Sequence, residues 1–193
     1  MSKTPKQKDK IFRTISKVKY LKEILRRHKT EYIEILDIVN KYNLTHERGI
    51  GFWSLTRIIF PVIETVAFII GKEKENFLEE DLEVPFGHLV WELYRHALMH
   101  SDQLRYAVYK EKTFSWAIHL GNENIGHFVD KYAGSHTTTI HIAIPKLYFD
   151  LQKFLIKEIT KNDTSLISIQ VGVHFSDKRE RLINELEELY IKY

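Results

Sequence analysis

The chain has 193 residues, 44% of them hydrophobic and 28% charged, which is the balance of one globular domain with its own hydrophobic core. It contains no cysteine, so disulfides, thiolate nucleophiles and cysteine-ligated zinc are excluded. Residues 1–10 contain no apolar run of the kind that a secretory signal needs. These features predict a soluble, cytoplasmic protein.

Positive charge is concentrated at the start of the chain. Residues 1–29 contain eleven Lys and Arg but only two acidic residues, which gives a net charge of +9. The remaining residues carry −6, because the whole chain carries +3. A basic face of this size attracts polyanions, and RNA is the predicted partner. The alternative is a solvated helix face with a basic tail.

The first half of the chain has the apolar spacing of helices. Residues 1–9 are predicted to be a disordered basic tail, and residues 10–42 to form one long helix or two shorter ones. A second helix is predicted over Phe52–Ile70, ended by Gly71. Charges inside this apolar stretch favour a buried core helix over a membrane span. A charged connector with a short helix leads to a helix over Phe86–Asp102.

The second half mixes strands with helices. Strands are predicted over Phe114–Leu120 and Thr137–Ile144, paired as an antiparallel hairpin with a long loop. Pro145 stands at the start of a helix that runs to Lys161. A third strand over Leu166–Phe175 and a last helix to Tyr193 follow. The predicted fold is mainly α with a small antiparallel β-sheet. Its helical domain spans 10–161 and includes a β-hairpin at 113–144, and residues 162–193 belong to the same domain.

Three residues in the last two turns of the Phe86–Asp102 helix can carry chemistry. Arg95 has a permanently charged guanidinium that can clamp a phosphate through two parallel hydrogen bonds. His96 and His100 have rings that titrate near neutral pH and can take up and return a proton. Together these residue types suit phosphate-ester chemistry that needs no metal.

This spacing resembles the Arg-polar-x-x-x-His motif of HEPN domains, here Arg95, His96 and His100. The resemblance covers residues 10–160 and implies a helical bundle with the hairpin inserted between its third and fourth core helices. It implies a toxin or defence ribonuclease without metal or other cofactor, and an antitoxin or regulatory partner. His100 would remove the ribose 2′-hydroxyl proton, Arg95 would hold the phosphate, and His96 would orient the substrate or donate a proton. A noncatalytic HEPN-like module that binds nucleotide, RNA or a protein is the alternative.

The site needs supporting residues and a second copy of the chain. At about 100° per residue, Arg95 and His100 project about 140° apart on an ideal helix. The resemblance implies that a homodimer brings the two motifs into one composite cleft. Tyr94 and Ser101 flank the motif residues. Glu64 in the second helix is a candidate partner for Arg95 or His96, and the alternative is that it simply emerges at the helix surface.

Two other interpretations of the motif remain open. His96 and His100, four residues apart, could ligate zinc with further histidines, drawn from His88, His119, His136 and His141. The arginine could instead cap the helix while the histidine packs in the core. Some HEPN toxins carry a modified tyrosine two residues after the motif histidine. The chain has Asp102 at that position, so this route of regulation is not expected.

Overall fold

The computed structural model describes residues 10–46, 52–100, 106–109, 111–119, 126–131 and 137–173. These residues form five α-helices and six β-strands, which confirms a mainly helical fold with small sheets. The elements in chain order are β1 (Lys10–Ser16), α1 (Lys17–His46), α2 (Phe52–Ile70), α3 (Lys74–Glu80), α4 (Gly87–His100), β2 (Ala107–Tyr109), β3 (Lys112–His119), β4 (Phe128–Lys131), β5 (Thr137–Ala143), α5 (Ile144–Thr160) and β6 (Leu166–Val173). The predicted tail and the predicted last helix lie outside the described residues.

The chain divides into two compact units. The smaller unit consists of Met1–Lys17 and Thr164–Tyr193, and the larger one of Val18–Asp163. No single helix in the described ranges is long and apolar enough to cross a membrane. Only α2 and α3 taken together pass that test, and they are bent by 99° relative to each other.

In the smaller unit, β1 and β6 pair as an antiparallel ladder. The ladder runs from Lys10 opposite Val173 to Ser16 opposite Leu166. The helix predicted to start at Lys10 is therefore wrong for residues 10–16. Ile11 and Ile15 are four residues apart, a spacing that fits one face of a strand as well as one face of a helix. The β-branched content of this segment favours the strand once a partner strand is available.

The larger unit begins with α1, which is one continuous helix. Its buried side recurs at helical spacing through Leu21, Ile24, His28, Tyr32 and Val39. The choice between one long helix and two is thereby settled in favour of one, which starts at Lys17 rather than Lys10.

α2 confirms the predicted central apolar helix. Leu55, Ile59, Ile63 and Val66 are fully buried along it, and Gly71 ends it with a positive φ of 72° that glycine adopts without strain. The short helix expected in the charged connector is α3, which buries Phe77 and Leu78.

The four-stranded sheet of this unit has the order β2-β3-β5-β4. β3 and β5 pair in parallel, so the predicted antiparallel hairpin between them is wrong. The intervening chain contributes β4 to the far side of β5, antiparallel to it, and this route leaves β3 and β5 pointing the same way. β2 pairs antiparallel with β3. The sheet is therefore mixed.

α5 follows β5 directly, with Pro145 in its first turn as predicted. Its buried side includes Leu147, Leu151 and Leu155. α5 contacts both α2 and β5, and α4 contacts β3. The core of this unit therefore lies between the helices and one face of the sheet.

Candidate functional site

α4 carries the predicted motif and is anchored through its first half. Val90, Trp91 and Leu93 are buried, and the Trp91 ring lies 5.7 Å from the Phe60 ring of α2. The ammonium nitrogen of Lys74 lies over the Trp91 ring, 5.3 Å from its centroid, which is a cation–π contact. The backbone then continues as helix to His100.

The motif occupies the last two turns of this helix. The backbone positions of Arg95, His96 and His100 are helical, but their side chains lie outside the described part of the chain, as does that of Tyr94. Ser101 lies outside it altogether. Their roles therefore stay predictions. Because α4 is unbroken, the backbone sites of Arg95 and His100 keep the angular separation of about 140° of a regular helix.

The beginning of α4 is held close to α3 by a glycine. A Cβ atom built on Gly87 would lie 2.2 Å from the backbone carbonyl oxygen of Glu75, so only glycine fits there without a shift. The amide of Gly87 also donates to a carboxylate oxygen of Glu79 at 3.3 Å. This close approach holds the first residue of α4 against α3.

α2 and α4 contact each other in the larger unit. Phe60 packs on Trp91, and Glu64, one turn further along α2, lines the same cleft as His88 near the beginning of α4. Arg95 lies seven residues beyond His88, about 10 Å along the helix axis. The predicted contact of Glu64 with Arg95 or His96 stays a prediction.

The cleft beside Glu64 has a volume of about 460 Å³ and is lined by charged residues of both signs. Lys72 pairs with Asp81 and with Glu80 at 2.6 Å, and Lys74 pairs with Glu75 at 3.0 Å. Hydrogen bonds from Lys72 to Asp81 and Glu80 raise the pKa of its ammonium, although burial opposes the shift. Because both lysines are paired with carboxylates, this cleft is a poor site for a phosphate.

The exposed side of α1 is basic, as its sequence indicates. Lys19, Lys22 and Lys29 are exposed, and so are Arg26 and Arg27. Both arginines pair with one carboxylate, Glu23, at 3.0 and 3.2 Å. The hydrogen bond from Arg26 lowers the pKa of this carboxyl group, burial opposes the shift, and the charges of the two arginines add to the lowering. More cations than anions remain on this face, which suits a polyanionic partner.

His28 of α1 is a buried polar residue that is not among the predicted site residues. It is 1% exposed, and neither ring nitrogen has a hydrogen-bond partner. Its ring lies 5.2 Å from Tyr148 and 6.0 Å from Tyr32, and the two tyrosines stack at 3.6 Å. Burial lowers the pKa of His28 to about 4. The signal was available, because His28 and Tyr32 continue the apolar spacing of Leu21 and Ile24.

The described residues contain no ligand cluster that would support the alternative of a zinc site. They contain no group of three or more His, Asp or Glu side chains that could hold a metal ion. His88 is exposed at the beginning of α4, and His141 stacks on Phe128 with the ring centroids 4.2 Å apart. His136 and the side chain of His119 lie outside the described part, as do the side chains of the motif histidines.

Comparison of the chain with protein-family models, with curated proteins and with solved structures finds no match.

Proposed function

We propose that the protein is a metal-independent endoribonuclease of the HEPN type, acting as a homodimer. The observation that carries the proposal is α4, one continuous helix that presents Arg95, His96 and His100 in its last two turns. In the proposed HEPN-like arrangement, α1, α2, α4 and α5 are the four core helices. Strands β2 to β5 are then the insertion between the third and fourth of them.

The exposed basic side of α1 supports an RNA substrate, because it provides a surface for the phosphate backbone. This feature does not require a particular RNA sequence.

The proposed reaction is an internal transesterification. His100 takes the proton of the ribose 2′-hydroxyl, and the 2′ oxygen attacks the adjacent phosphorus while the bond from phosphorus to the 5′ oxygen breaks. His96 gives a proton to the leaving 5′ oxygen, and the products are a 2′,3′-cyclic phosphate and a free 5′-hydroxyl. Arg95 binds the phosphate and stabilises the charge that develops on it. A positioned acid or base contributes about 10²- to 10⁴-fold to the rate, and charge stabilisation contributes about 10²- to 10³-fold.

The angular separation within α4 favours a site that two copies share. Side chains that project about 140° apart do not converge on one phosphate from a single straight helix. A two-fold axis beside the carboxyl end of α4 would bring Arg95 of one copy to His100 of the other, because such an interface is formed by the same patch of both copies.

The test is cleavage of a single-stranded RNA in the presence of EDTA. We expect cyclic-phosphate ends, no cleavage of RNA whose 2′-hydroxyls are methylated, and a loss of about 10²-fold or more in His100→Ala. His88→Ala changes an exposed histidine at the other end of the same helix and is the matched control. Cleavage that stops in EDTA, or that persists unchanged in His100→Ala, would contradict the proposal. RNA binding without any cleavage would support the noncatalytic module instead.

A further inference from the structure

The two faces of the β1–β6 ladder differ in their exposure to solvent. Side chains alternate between the faces along each strand, and residues directly opposite each other share a face. Ile15, Ile167 and Ile169 lie on one face and are half-buried. The other face, here called the open face, is exposed except at Ser16 and consists of Phe12, Thr14, Ser16, Leu166, Ser168 and Gln170. The first face is therefore the packed one, and the open face meets solvent.

The open face carries the aromatic ring of Phe12. This ring is 54% exposed, and its cross-strand neighbour Gln170 is exposed as well. Next along the ladder, Thr14 and Ser168 lie opposite each other and supply hydrogen-bond donors and acceptors. A single exposed apolar residue is ordinary on a protein surface. The argument for a ligand therefore comes from the ring together with the charges beside it.

Positive charge accompanies the ring. Lys10, Arg13 and Lys17 all lie between the first residue of β1 and the first residue of α1, and neither β1 nor β6 contains an acidic residue. Arg13 directly follows Phe12 and is exposed. The backbone amide of Lys17 donates to the carbonyl of Ser165 at 2.9 Å, which holds the start of α1 at the end of the ladder. A ladder with three cations and no carboxylate in its strands attracts a polyanion.

A single-stranded nucleic acid presents both groups that this surface suits. Its phosphates complement the cations, and its unpaired bases stack on exposed aromatic rings and form hydrogen bonds through their edges. A duplex hides the faces of its bases, and an acidic peptide offers charge without a ring. A membrane surface suits a continuous apolar patch, whereas Thr14 and Ser168 separate Phe12 from Leu166 on the open face.

We propose that the open face binds single-stranded RNA, with one base stacked on Phe12. The sheet has two strands, so β1 is an edge strand, and exposed Arg13 lies on it. The phosphates follow this edge, where Arg13 and Lys17 bind them. The choice of RNA rather than DNA rests on the proposed function, because the ring and the charges fit either polymer.

The test measures binding of two fluorescent probes to the full chain by anisotropy. One probe is a single-stranded RNA whose 2′-hydroxyls are methylated, and the other is an abasic oligonucleotide of the same length, which keeps the phosphates but lacks the bases. We expect Phe12→Leu to weaken the RNA about tenfold or more and to leave the abasic probe unchanged, because leucine removes only the stacking contact. Phe12→Tyr keeps the ring and should bind RNA as the natural protein does.

Further variants separate the phosphates from the bases. Arg13→Gln should weaken both probes alike and reduce the slope of the logarithm of affinity against the logarithm of salt concentration. Phe68→Leu removes a ring of α2 that is 66% exposed and is the matched control, which should leave both probes unchanged. His100→Ala should bind the methylated RNA as the natural protein does, so this proposal and the nuclease proposal fail separately. Circular dichroism verifies that each variant is folded.

The proposal is overturned if Phe12→Leu binds the methylated RNA as the natural protein does. An equal loss with the abasic probe, or a loss that Phe12→Tyr does not restore, would exclude a base stacked on this ring. An unchanged salt slope in Arg13→Gln would exclude phosphates along the edge of β1. Binding to vesicles of anionic phospholipid that depends on Phe12, with RNA binding that does not, would make the open face a membrane-binding surface instead.

Discussion

Protonation of His28 should make the protein less stable as the pH falls. The ring is 1% exposed, and burial lowers its pKa from 6.5 to about 4 in the folded state. The unfolded chain therefore binds a proton at a higher pH than the folded chain does. The neutral ring of His28 therefore contributes to the free energy of unfolding. This contribution is fully present above about pH 6.5 and is lost progressively as the pH falls towards about pH 4.

The magnitude follows from the difference in pKa. One pKa unit corresponds to 1.36 kcal/mol, so lowering the pKa of His28 from 6.5 to about 4 changes the free energy of unfolding by at most about 3 kcal/mol. At about pH 4.5, the folded protein should have lost about 2.5 kcal/mol relative to neutral pH through this residue alone. That is a substantial part of the 5–15 kcal/mol typical of a folded domain.

The assay is urea unfolding at a series of pH values for the natural protein and for His28→Leu. Leucine removes the titrating ring, so the difference in unfolding free energy between the two proteins should shift by about 2.5 kcal/mol in favour of His28→Leu on going to about pH 4.5. His88→Leu removes an exposed histidine and is the control, since solvent already surrounds that ring. Carboxyl groups titrate in the same range but are common to all three proteins.

A direct titration of His28 in the natural protein tests the same argument and does not depend on the folding of a variant. In the natural protein, the ring proton signals of His28 followed by NMR should not move between neutral pH and about pH 5. A ring that titrates near 6.5, or an identical pH dependence of stability in His28→Leu, would refute the argument that burial keeps this imidazole neutral.

Three further predictions concern the proposed site and its supports. Mixing inactive Arg95→Ala with inactive His100→Ala should restore RNA cleavage if one site takes the arginine from one copy and the histidine from the other, and continued inactivity would exclude a shared site. Lys22→Glu should weaken RNA binding and reduce the slope of the logarithm of affinity against the logarithm of salt concentration. An unchanged slope in a filter-binding titration would mean that RNA binds elsewhere on the protein. Gly87→Ala should lower the unfolding free energy by about 1–3 kcal/mol, because its Cβ would meet the carbonyl of Glu75 at 2.2 Å. Urea unfolding tests this, and an unchanged midpoint would contradict it.

The sequence by itself determined the elements whose signals are local. The apolar spacing of α2 and α5, with Gly71 and Pro145 at their ends, was sufficient to place both helices, because a helix satisfies its backbone within one segment. The motif of α4 was equally visible as a pattern. The chemistry proposed for it comes from residue types and spacing.

The tertiary structure decided whatever depends on distant partners. Lys10–Ser16 is a strand because it pairs with Leu166–Val173. β3 lies parallel to β5 because the intervening chain forms β4, which pairs with the other edge of β5. Backbone hydrogen bonds of a strand are made with another segment, so its own sequence does not name the partner. The apolar spacing of α1 is sufficient to place His28 on its buried side, but only the tertiary structure brings the ring of Tyr148 in α5 against it, because no local pattern names that partner.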